Sequence, residues 1–186
     1  MHCIILRNSA YNTITNNNAS NGKYGIHLYG ASYNTITNNT ANSCSFIAIH
    51  LTKNSNNNIL ANNTAKHSHV GIYIGSSSNN TVKNSRIENN DGYGIYIDMA
   101  GNPANHIYNN LFNNTNNCGF SNTIYANNWN TTKQAGTNIV GMPYIGGNYW
   151  GKPDGTGFSE ECMDADGDRF CDKPYFLAQE NKIICH

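Results

Sequence analysis

Apolar residues recur along the chain at a fixed interval. Ile26, Ile49, Ile72 and Ile95 lie 23 residues apart, and Leu28, Leu51, Ile74 and Ile97 follow two places behind them. A second row runs through Ile14, Ile36, Leu60, Val82 and Ile107. Around these positions apolar and polar residues alternate over short stretches, the period of a strand with one buried face. Clusters of Gly, Ser and Asn between the stretches read as turns. A unit this short cannot bury its apolar face alone, so neighbours must stack. The pattern predicts an all-β chain, a parallel β-solenoid with coils of about 23 residues. Stacking at about 4.8 Å turns each row into a continuous core. A leucine-rich horseshoe has a similar period but needs a Leu-rich signature that is absent.

The polar rows are mostly asparagine. The chain holds 36 Asn among 186 residues, and Asn disfavours helix because its amide competes for backbone hydrogen bonds. Asn12, Asn34, Asn58, Asn80 and Asn105 stand two places before the second apolar row, and Asn16, Asn38, Asn62, Asn84 and Asn109 two places after it. A low-complexity tract has no need of fixed register. Stacked coils predict amide ladders between turns, at corners where Asn tolerates left-handed backbone.

The ends are less regular. Counting back 23 residues from Ile26 and Leu28 reaches Cys3 and Ile5, so MHCIIL reads as the inward strand of an earlier coil. A chain starting in mid-coil leaves an edge unpaired, to be met by further coils or by self-association. Regularity fades after Asn105, with Cys118–Phe120 as the last strand of the first row and Thr123–Gln134 as a shortened final coil.

Charge separates two segments. Net charge is zero, yet residues 1–150 hold seven basic and three acidic side chains, and residues 151–186 four and eight. We therefore divide the chain into a solenoid, residues 1–145, and an acidic C-terminal cap, residues 146–186. Zero net charge offers no field for nucleic acid, and no apolar run is long enough to span a membrane. Residues 1–6 lack the features of a signal peptide. The six Cys allow up to three disulfides in an oxidising compartment.

The repeats and the ending GGNYWG followed by DADGDRFCDKPY closely resemble the NosD-type proteins over essentially the whole chain, which implies a right-handed parallel β-helix. That resemblance implies an extracellular, cell-surface or periplasmic protein of bacterial or archaeal type. The family label implies copper binding in maturation of a copper reductase. Its scaffold is shared with carbohydrate-binding and sugar-hydrolase domains, so polysaccharide or cell-envelope components are the partners it implies. This sequence departs from the family by placing Arg169 and Phe170 where Gly-Ile is common, and by framing its Asp cluster with Cys162 and Cys171.

Two sets of side chains are candidate sites. Asp164, Asp166, Asp168 and Asp172 alternate through an irregular segment, the arrangement of a hard-cation loop, with Ca²⁺ the natural occupant. The EF-hand signature fails there, and a solvated acidic turn is the plain alternative. A Cys162–Cys171 disulfide would close that loop with eight residues between its ends. On the solenoid, His27, His50, Tyr73 and Tyr96 occupy the outward position between the two inward rows and should form a stripe. It reads as an aromatic ladder that steadies neighbouring strands, as a surface for sugar rings, or as a His pair for Cu or Zn. Catalysis would need clustered carboxylates. Before residue 150 the acids are Glu88, Asp91 and Asp98, so the reading leans to a non-catalytic module. Trp129, Tyr149 and Trp150 read as a plug closing the solenoid core.

Overall fold

The computed structural model describes residues 1–98, 104–122, 127–177 and the backbone of 184–185. Its architecture is a parallel β-solenoid with three faces. The longest face stacks His2–Arg7, Tyr24–Tyr29, Ile47–Thr52, Val70–Gly75, Tyr93–Asp98 and Cys118–Ser121. The second stacks Thr13–Thr15, Thr35–Thr37, Ile59–Ala61, Thr81–Lys83 and His106–Tyr108. The third stacks Thr40–Asn42, Thr64–Lys66, Arg86–Glu88, Leu111–Asn113 and Tyr149–Gly151. One short helix, Phe158–Glu161, lies in the cap.

Both apolar rows lie inside as expected. Ile26, Ile49, Ile72 and Ile95 pair in register and are fully buried, as are Leu28, Leu51, Ile74 and Ile97. Ile36, Leu60, Val82 and Ile107 do the same on the second face. Their branched side chains suit a pleated surface buried on one side.

The first coil corrects the count. Ile4 pairs with Ile26 and Leu6 with Leu28, so this coil is one residue shorter than the 23-residue interval requires. Ile4 and Leu6 therefore face the core, while Cys3 and Ile5 are exposed. A one-residue slip moves every side chain of a strand to the other face.

Asparagine performs both expected tasks. The amides of Asn12, Asn34, Asn58, Asn80, Asn105 and Asn127 form one ladder, each Oδ1 accepting from the backbone and side chain of its predecessor. Asn16, Asn38, Asn62, Asn84 and Asn109 hold φ between 52° and 57°, a region in which Asn is less strained than most residues. A second ladder runs through Asn17, Asn39, Asn63, Ser85, Asn110 and Asn148. The sequence reading missed it because serine takes one rung and the last step, from Asn110 to Asn148, spans 38 residues.

The C-terminal end is closed by aromatic rings. Trp150 is stacked between Phe112 at 4.8 Å and Tyr175 at 4.6 Å, with Trp129 at 5.9 Å. Both Trp are buried, as expected of a plug; Tyr149 is half-buried. GGNYWG supplies the last rung of the third face, since Tyr149, Trp150 and Gly151 pair with Leu111, Phe112 and Asn113. Cys118–Ser121 ends the longest face. Of the expected shortened coil, residues 123–126 lie outside the described residues; Asn127 and Asn128 continue the second face.

Candidate functional site

The outward stripe forms as the spacing predicts. His27 pairs with His50, His50 with Tyr73, and Tyr73 with Tyr96 along the longest face. The imidazoles of His27 and His50 stack at 4.3 Å with planes 15° apart, and His2 stacks on His27 at 4.9 Å. Tyr24 lies over His50 at 5.2 Å, and Tyr73 stacks on Tyr96 at 5.7 Å. The stripe closes at Gly119, where a Cβ would stand 2.5 Å from the Tyr96 ring.

The histidines are neutral at ordinary pH. Burial, with a smaller contribution from positive charge on His2 and Arg7, lowers His27 to about 4. Burial and the neighbouring His27 and His2 lower His50 to about 3. His27 Nε2 meets Thr52 Oγ1 at 3.0 Å, whereas the Nδ1 atoms of His27 and His50 are buried without a hydrogen-bond partner. Neutral imidazole nitrogens are ligands that copper accepts. A ring's lone pair lies in its own plane, however, and near-parallel rings stacked at 4.3 Å do not aim two lone pairs at one ion. As stacked, the pair does not form a chelate. The stacking also uses ring faces that a sugar would need.

The solenoid acids are already engaged. Tyr73 Oη donates to Asp98 Oδ2 at 2.7 Å, and Asn122 Nδ2 donates to Asp98 Oδ1 at 2.6 Å. Burial pushes the Asp98 carboxyl upward, but hydrogen bonds from Asn122, Tyr73 and Ser121 outweigh it and hold the group below the usual carboxylate range. Burial, reinforced by the bond to Asp98, raises the Tyr73 hydroxyl. Glu88 pairs with Lys66 at 3.3 Å and with Arg86 at 2.7 Å, and Asp91 meets His69 Nδ1 at 2.7 Å.

In the cap, the chain brings three of the four predicted aspartates together. One carboxylate oxygen each from Asp164, Asp166 and Asp172 lies within 4.8 Å of the others, and all three residues are exposed. Backbone N–H groups orient the cluster: Arg169 donates to Asp164 at 3.0 Å, Asp168 to Asp166 at 3.1 Å, and Ala165 to Asp172 at 3.0 Å. Asp168 turns away to Lys133, whose Nζ lies 2.9 Å from its Oδ2. That ammonium also stands 4.8 Å from the centre of the Tyr144 ring and 4.9 Å from that of Phe170. Lys133 carries no sequence signal of this role, because 35 residues separate it from Asp168. A disulfide joins Cys162 to Cys171 across a 5.5 Å Cα separation, closing the loop. Phe170 packs on Gly146, where a Cβ would stand 2.3 Å from its ring. A cleft of about 450 Å³ beside it is bordered by Lys133, Asp166, Asp168 and Asp172.

Three parallel faces, buried amide ladders and an aromatic end plug define a repeat protein of the parallel β-solenoid class. The family model for NosD, the periplasmic copper-binding protein, matches residues 1–155, and the chain belongs to that family. No curated protein and no solved structure matches it. Among the described residues no helix is long and apolar enough to cross a membrane.

Proposed function

We propose that this protein is a non-catalytic β-helix module of the extracellular or periplasmic space, with a calcium ion stabilising its cap. One observation carries the reading: the solenoid's three carboxylates are each bonded to a neighbour, while three of the cap, Asp164, Asp166 and Asp172, converge. A general acid or base must reach the reacting proton, and Glu88, Asp91 and Asp98 are committed to structural partners. Three carboxylates within 4.8 Å repel one another, and a hard cation with oxygen ligands relieves that repulsion. The cap disulfide suits an oxidising compartment, and the family's description as periplasmic points the same way. The stripe acts in this reading as a steadying ladder, and binding to polysaccharide or cell-envelope components falls to the exposed faces of the module.

The test is thermal unfolding in EDTA and in millimolar CaCl₂, with Asp164→Asn/Asp172→Asn as control. Calcium should raise the melting temperature of the natural chain and leave the double variant unmoved. Equal curves in EDTA and calcium would remove the ion. Turnover in a polysaccharide screen with product detection would remove the non-catalytic reading.

A further inference from the structure

Two cysteines of the solenoid meet at one corner. Cys44 opens an inward row that continues through Ser68, Asn90 and Asn114, in which each side chain accepts the backbone N–H of its predecessor. One coil earlier the row is held by Gly22: its N–H and that of Asn21 point at the Cys44 sulfur, which is buried. Gly22 has no side chain, and the space above Cys44 is taken by another residue. The Sγ of Cys3 stands 2.7 Å from the position a Gly22 Cβ would occupy. Both sulfurs also contact consecutive carbonyls, Cys3 Sγ that of Ser20 at 3.4 Å and Cys44 Sγ that of Ala19 at 3.6 Å. The Cys3 sulfur thus fills the missing rung of the row that Cys44 begins.

We infer that Cys3 and Cys44 are a second disulfide pair, which staples the first coil to the second around Gly22. The exposed Cys3 thiolate attacks a low-molecular-weight disulfide, forming a mixed disulfide and releasing one thiolate. The Cys44 thiolate then displaces the second thiolate and closes the Cys3–Cys44 bond. Two thiols are oxidised, one external disulfide is reduced to two thiols, and those take up both protons. Burial raises the Cys44 thiol, which leaves the first attack to the exposed Cys3. The same oxidising compartment that preserves the cap disulfide would preserve this one.

Tryptic mapping without reduction, after exposure of the folded chain to oxidised glutathione, tests the pairing. Peptide 1–7, carrying Cys3, should emerge joined to peptide 24–53, carrying Cys44, two hydrogens lighter than their sum. Oxidation should raise the melting temperature by roughly 5–10 °C, and Cys44→Ser should abolish that rise. Serine already fills this row at Ser68, so Cys44→Ser retains a side-chain oxygen to accept the Gly22 N–H. Gly22→Ala, whose methyl takes the place of the Cys3 sulfur, should slow closure at least tenfold. Free alkylation of both thiols after oxidation, or a bond from Cys3 to any other cysteine, overturns the assignment.

Discussion

The solenoid and the cap hold themselves together by different physics. In the solenoid the buried polar groups are mostly neutral amides and hydroxyls, repeated from coil to coil, and they bond along the stack. The cap has few repeated contacts. Its loop depends on one disulfide, a ring packed on a glycine, backbone turns around carboxylates and a lysine reaching across from the solenoid. Buried neutral ladders are insensitive to salt and expensive to interrupt. Exposed charge contacts are individually weak and respond to ionic strength and bound ions. The stable part of this protein is therefore its repetitive part, and the part responsive to salt and bound ions is its cap.

The contrast breaks most sharply in the middle of a ladder. Asn58 donates to the Ala31 carbonyl and to Asn80, and accepts from the backbone and side chain of Asn34. Asn58→Ala should cost about 2–4 kcal/mol in denaturant unfolding, because it leaves buried partners unsatisfied. The same change at exposed Asn12, at the ladder's end, should cost less than about 1 kcal/mol. Equal losses at both positions would mean that burial is not what gives the ladder its strength.

A second comparison comes through pH. His27 and His50 are lowered in the folded chain to about 4 and about 3, while unfolded histidine titrates near 6.5. Between these values the unfolded chain binds more protons, so stability is complete above pH 6.5 and is lost as pH falls toward the folded values. The melting temperature should decline from pH 6.5 to pH 4.5, before carboxylates dominate. His27→Phe/His50→Phe should flatten that slope; an unchanged slope would place its origin elsewhere.

The smallest effect belongs to the cap. Lys133→Met removes an exposed ion pair and two ring contacts. The loss should be small even in dilute buffer, as for other exposed ion pairs. It should shrink further in about 1 M NaCl, where the Debye length falls to about 3 Å. The Asn58 penalty should persist there, so salt dependence separates the two regions without any structural probe.

Much of this was legible in residue spacing. The inward rows and the Asn12–Asn105 ladder follow from periodicity, since a solenoid places equivalent residues over one another. The stripe of His27, His50, Tyr73 and Tyr96 was legible for the same reason. Its ring-on-ring stacking was not, because rotamers are chosen by neighbours such as Tyr24 and Gly119. Cys3 shows the limit of counting: a repeat one residue shorter reverses the facing of its strand, and the correct pairing brings its sulfur to the Gly22 corner.

The sequence alone determined the fold class, the core rows, the left-handed Asn corners and the acidity of the cap, because these depend on local chemistry repeated at a fixed interval. The tertiary structure decided which acids are free to converge. Asp164, Asp166 and Asp172 come together while Lys133 takes Asp168, and Glu88, Asp91 and Asp98 are neutralised or hydrogen-bonded by partners on other coils. The partners of Glu88, Asp91 and Asp98 lie one coil away, but Lys133 is 35 residues from Asp168 and outside the repeat interval, so only folding reveals that contact.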